Sequence, residues 1–143
     1  MNDEQIEGLR VAANIGARAL KHALESTKVG MSLDDVDAVV HEFLVSQDAY
    51  PSGIGFHHFP KSCCTSVNDV VAHGIPNSYV LQEGDYLNID IVCYKDGHHG
   101  DNSGMVLLGD VHPDIFKLST TAREAMFKAI NICKPGQKYS AIG

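Results

Sequence analysis

The stretch that most restricts the fold is Tyr86 to Leu108, YLNIDIVCYKDGHHGDNSGMVLL. Asp96-Gly97 is a strong signal for a tight hairpin turn, because both central residues of such a turn need φ > 0. Before it, Leu87, Ile89, Ile91 and Cys93 alternate with Asn88, Asp90, Val92 and Tyr94. One strand face is therefore apolar and the other mixed. A two-residue loop sets the register: Lys95 faces His98, Val92 faces Asp101, and Asp90 faces Ser103. Asp90 and Asp101 become diagonal neighbours on one face, roughly 7–8 Å apart at the backbone and within side-chain reach. Two ionised carboxylates converging there repel, and a divalent cation between them removes that cost. The plainer alternative makes Asp101 a turn cap and Asp90 a solvated side chain. Against it, Asp90 interrupts an otherwise well-buried strand, NIDIV.

Composition bounds the rest. A chain of 143 residues holds one core, and a single domain over 1–143 is expected. Apolar content of 44% with 20% charged residues is that of a globular protein. A formal charge of −7 and a pI near 5.5, without a Lys/Arg stripe, argue against nucleic-acid binding. MNDEQIEGLR has no apolar signal region and no 18-residue apolar run follows, so no membrane association is expected. Cys63, Cys64, Cys93 and Cys133 have no CxxC spacing, which points to reduced thiols in the cytoplasm.

Along the chain, residues 4–27 read as an amphipathic helix with Ile6, Leu9, Ala13, Gly16, Leu20 and Leu24 on its apolar stripe and Gly30 after its C-terminus. Ser32 to Asp35 offers a capping box for a second helix reaching Ser46, with Leu33, Val36, Val39/Val40, Phe43 and Leu44 inward. Asp34, Asp35 and Asp37 read as its solvated first turn. His41-Glu42 lacks the second histidine of a zincin helix, since position 45 is Val45. Residues 50–61 are loop-like, and Phe56 and Phe59 by themselves read as core plugs. Residues 62–72 suggest a strand, a turn at Asn68-Asp69 and the start of another strand, which His73-Gly-Ile-Pro76 closes. After Leu108, Pro113 suits the first turn of a helix whose apolar stripe runs to a stop at Lys134-Pro-Gly136. Helices with antiparallel strands give an α+β fold.

The candidate site is Asp90, Asp101 and His73, with Phe56 and Phe59 beside it. Carboxylate oxygens suit hard divalent cations, though two of them are an incomplete shell. A lone histidine is more often structural, but His73 lies beside a glycine and before a proline-fixed turn, where its ring can face a pocket. His57, His58, His98 and His99 read as loop imidazoles, either exposed or standing behind the site's own ligands. Ser103 within GDNSG lacks GxSxG spacing and is set aside as a nucleophile.

FPKSCCTSVNDVVAHGIP (59–76), followed by LQEGDYLNIDIVCYKDGHHGD (81–101), resembles the N-terminal half of a type I methionine aminopeptidase. The resemblance extends over nearly the whole chain. It implies one lobe of a pita-bread fold, an antiparallel sheet with helices on one face. It also implies removal of the N-terminal methionine of nascent polypeptides in the cytoplasm, at or near the ribosome. Water activated by two divalent metal ions (Co, Mn, Fe(II) or Zn) would attack the first peptide carbonyl. By resemblance Asp90 chelates one metal and Asp101 bridges both. His73 is the catalytic imidazole near the scissile amide, and Phe56 and Phe59 line the methionine pocket, where a thioether meets aromatic rings. The family's other ligands, one His and two Glu, and a second substrate-contacting His come from a second half outside these residues. Gly53 stands where many members carry Cys, and Phe56 where Tyr is common, implying a roomier pocket and one hydroxyl fewer. Two further readings remain at this point: an inactive pita-bread relative that binds peptides or proteins, and an Asp pair that never meets metal.

Overall fold

The hairpin forms as its sequence dictates. In the computed structural model, which describes residues 1–143, β3 (Tyr86–Lys95) and β4 (His98–Leu107) pair antiparallel. Asp96 (φ 47°) and Gly97 (φ 88°) both occupy the left-handed region of a type I′ turn. Val92 faces Asp101 and Asp90 faces Ser103, the register the two-residue loop requires. β3 is the central strand. β4 runs along one edge, while the other is shared by β1 (Tyr50–Pro51) and β2 (Cys64–Val67) at opposite ends. The alternation in β3 resolves into two faces: Leu87, Ile89, Ile91 and Cys93 are fully buried, and Asn88, Asp90 and Val92 are only partly so.

Residues 1–110 and 111–143 form two units. In the first, α1 (Asp3–Ser26) and α2 (Leu33–Ser46) cover the apolar sheet face. The buried stripe of α1 is Ala12, Ile15, Gly16, Ala19 and Ala23, centred one residue away from the expected one. Leu20 and Leu24 sit at its rim. The cause lies in β4, where Gly100, Asn102 and Gly104 share the inward face and let the helix approach closely. A Cβ on Gly100 would collide with the Ala12 carbonyl, and one on Gly104 would lie 3.3 Å from Leu20 and Leu24. A helix pressed onto a glycine-lined strand needs small residues at the line of contact. Leu33, Val36, Val40 and Leu44 of α2 complete the core, as their period predicts, while Val39 and Phe43 are only partly buried. Fully burying each large aliphatic side chain contributes about 1.5–3 kcal/mol.

The caps are local. Asn2 and Gln5 form a capping box at α1, and Ser32 and Asp35 form the expected one at α2, with bonds of 3.0 and 2.8 Å. α1 ends at an extended Thr27 whose backbone N–H and hydroxyl both donate to Ala23 O, rather than at a glycine. Gly30 (φ 91°) instead turns the chain so that its N–H reaches Leu81 O.

Three expectations need correction. Asp37 is not solvated: it is 9% exposed on the inward stripe of α2 and accepts the backbone N–H groups of Ser62 (2.7 Å) and Cys63 (3.1 Å). No second strand follows Asn68, because Asn68 and His73 both take positive φ and Pro76 offers no N–H; one bond, Thr65 N–H to Gly74 O, is made. Phe56 is no core plug, being 68% exposed.

The second unit is built on α3 (Pro113–Ile132), with Pro113 in its first turn and His112 Nδ1 accepting the Asp114 N–H. None of its residues is buried, and Phe116, Leu118, Met126 and Ile130 are each more than half exposed. No helix of the chain is long and apolar enough to cross a membrane.

Candidate active site

With the helices on one sheet face, the opposite face of the hairpin carries Asn88, Asp90 and Val92 from β3 and Asp101, Ser103 and Met105 from β4. β2 adds Cys64, directly across from Asp90, and Ser66, across from Asn88. Asp90 is thus flanked by Cys64 on one side and Ser103 on the other, with Asp101 on the diagonal. Burial pushes the Asp90 carboxyl above its ordinary value, the Asp101 charge adds to the shift, and His73 works against it. Asp90 and Asp101 thus share the open face of the hairpin.

His73 is presented by an unusual piece of backbone. It takes φ 55°, and Gly74 behind it is pressed on β2 so tightly that a Cβ there would collide with the Thr65 carbonyl. Gly74 also donates its N–H to Ser66 Oγ at 3.1 Å. Only glycine permits that approach, so the backbone next to His73 is held beside Thr65 and Ser66 of β2.

Phe56 and Phe59 lie on the connection between β1 and β2, at either end of a single 3₁₀ turn. Phe56 meets His57 edge-on, with ring centroids 4.5 Å apart. Phe59 is partly buried and faces Gly53, where an added Cβ would lie 3.5 Å from its ring and 3.0 Å from Lys61 O. His57 and His58 are exposed; His99 bonds Ser52 Oγ at 3.0 Å and His98 bonds Asp96 O at 3.0 Å, so both of the latter have structural partners.

A hard divalent cation suits the donors on this face, two carboxylates of which one is partly desolvated and crowded by the other's charge. No three His, Cys, Asp or Glu side chains converge to complete a shell. Sequence reasoning passed over Cys64, whose thiol is pushed up by burial and then by Asp90. The signal was the period-two alternation of CTSV, which sets Cys64 and Ser66 on the same face.

Residues 7–143 match metallopeptidase family M24. The chain belongs to that family. It is 46% identical over 140 residues to methionine aminopeptidase 2 of Mycobacterium tuberculosis, covering 98% of this chain and 49% of that protein. Against human mitochondrial methionine aminopeptidase 1D the identity is 45% over 142 residues, with 99% and 42% covered. The crystal structure of methionine aminopeptidase from Rickettsia prowazekii superposes with a TM-score of 0.93 at 35% identity, over 96% of this chain and 56% of that one. The chain thus spans about half the length of the curated relatives it matches, and its α+β fold is that of one lobe of the pita-bread aminopeptidases.

Proposed function

We propose that these 143 residues are the N-terminal portion of a methionine aminopeptidase catalytic domain that removes the N-terminal methionine from nascent polypeptides. The observation that carries the reading is the pairing of Asp90 and Asp101 on the open hairpin face of an M24 chain. Asp90 and Asp101 would hold divalent metal, two ions drawn from Co, Mn, Fe(II) or Zn. Bound there, the metal supplies Lewis-acid polarisation of the peptide carbonyl and a lowered pKa for the attacking water. His73 would donate to or accept from the peptide group at the scissile bond. Phe56 and Phe59 give the methionine thioether an aromatic wall. The partners are polypeptides with a free N-terminal methionine, met as they leave the ribosome. Four free thiols fit a reducing compartment, the cytoplasm.

The test is release of free methionine from a short peptide beginning Met-Ala. The intact protein, stripped with chelator, is reloaded in turn with Mn, Co, Fe(II) and Zn. Turnover restored by at least one metal, and abolished by Asp90→Asn, supports the reading. No methionine release with any of the four counts against it.

A further inference from the structure

We propose that Asp85 is a positioning residue for His73: one buried carboxylate ties together both ends of the loop that carries the imidazole. The inference rests on the reading of the hairpin face as a peptide-cleaving site.

Asp85 is 7% exposed at the entry to β3. Its Oδ1 accepts Asn68 Nδ2–H at 2.8 Å. Its Oδ2 accepts the Gln82 backbone N–H at 2.8 Å and the Tyr79 hydroxyl at 3.0 Å. Asn68 is where the loop departs from β2, and Tyr79 and Gln82 are where it returns. Asn68 (φ 53°) is doubly seated, its backbone N–H donating to Tyr86 O at 2.9 Å and its Oδ1 accepting the Tyr86 N–H at 3.2 Å. A turn between Gln82 and Asp85 alone would need only the Gln82 bond. The bonds from Asn68, 17 residues away, and from Tyr79 do nothing for that turn; they close the loop.

Between those anchors the side chains nearest the imidazole are exposed. Val71 is 98% exposed, and His73 and Ile75 stand open. Gly74 is bonded to Thr65 and Ser66, and past Pro76 the chain is seated on the start of α2, where Asn77 O accepts the Asp34 N–H at 2.9 Å and Tyr79 O the Leu33 N–H at 3.0 Å. His73 therefore sits between a clamp at Gly74 and a clasp at Asp85. Loosening the clasp lets the peptide at Gly74 swing on β2, and an imidazole displaced by about 1 Å forfeits up to a hundredfold in rate. Asp85 does not touch His73, Asp90 or Asp101 through any hydrogen bond, so its influence on them is through the loop.

The experiment compares Asp85→Asn and Tyr79→Phe with the parent, all as intact protein. Three things are measured: amide hydrogen exchange, the His73 imidazole resonance, and kcat and KM on the Met-Ala peptide. The expected result for Asp85→Asn is exchange at Gly74 faster by about tenfold, exchange at Ile89 and Ile91 unchanged, a shifted imidazole resonance, and kcat lower by about tenfold with little change in KM. Tyr79→Phe, which removes one bond of three, moves each readout the same way by less, and carries the test if Asp85→Asn does not fold. Unchanged Gly74 exchange in folded variants overturns the proposal, and so does faster exchange with an unmoved His73 signal. Should the parent release no methionine, the aminopeptidase reading fails while exchange and the imidazole signal still decide the clasp.

Discussion

Replacing Asp37 by Ala isolates the one carboxylate of α2 that faces inward. In the parent, Asp37 Oδ1 accepts two backbone N–H groups, from Ser62 at 2.7 Å and Cys63 at 3.1 Å, and both residues are 2% exposed. Alanine leaves those two donors without their acceptor in a place water reaches poorly. At about 1–3 kcal/mol for each buried unsatisfied group, the loss is about 2–6 kcal/mol. That is a large part of the roughly 5–15 kcal/mol that holds a domain together. Asp37→Asn keeps the shape and one acceptor oxygen, so its loss stays near 1–3 kcal/mol. Urea unfolding followed by far-UV circular dichroism reads both. At a slope of about 2 kcal/mol per molar, a loss of 3 kcal/mol lowers the midpoint by roughly 1.5 M. The reasoning is refuted if Asp37→Ala unfolds within about 0.3 M of the parent, or if Asn proves worse than Ala.

Gly100→Ala drives a methyl group into the Ala12 carbonyl and within 2.8 Å of Ala13 Cα, so α1 must lift from β4. A loss of about 1–3 kcal/mol is expected, seen as a drop of several degrees in Tm. Acid titration tests Asp85. Burial pushes its carboxyl up, but the bonds from Asn68, Gln82 and Tyr79 outweigh that and hold it below its ordinary value of 3.8. Its stabilisation is therefore full above the unfolded value and lost as pH falls through the lowered folded one, so Asp85→Asn flattens the stability curve below about pH 4. An unchanged acid limb would contradict this. The 143-residue chain by itself exposes Phe56, Val71, Phe116 and Leu118, each at 59% or more. Self-association at micromolar concentration is expected in light scattering, and a monodisperse monomer would oppose it.

The hairpin was legible because its information is local: a dipeptide that needs two positive φ angles and an alternation of period two fix the register without help from elsewhere. The same holds for the Ser32–Asp35 box. What sequence reading misplaced depends on partners remote in the chain. The stripe of α1 was set one residue off because the contact is governed by Gly100 and Gly104, some 85 residues on. Asp37 looked like a dipole-matched first-turn acid, although its spacing from Leu33, Val40 and Leu44 already put it on the inward face. The Asn68–Asp85–Tyr79 network was invisible because polar residues in loops carry no period. At the site, the relation of Asp90 to Asp101 followed from the hairpin alone, whereas the place of His73 depends on a glycine clamp no pattern announces.

The turn at Asp96-Gly97 has a consequence for how the carboxylate pair comes into being. Hairpins of this kind close in about 1–10 μs, before distant elements find one another. Asp90 and Asp101, eleven positions apart in the sequence, are therefore brought together as an early, short-range event, and their mutual repulsion is met by the nascent fold rather than by the finished one. The arrangement also has a single point of failure. A slip of one residue in the pairing, as when an added turn residue is taken up by β4 rather than by the loop, carries Asp101 to the side where α1 lies and turns Asn102 outward. The chain would keep its composition, its motifs and most of its core, and would lose the pair of oxygen donors altogether.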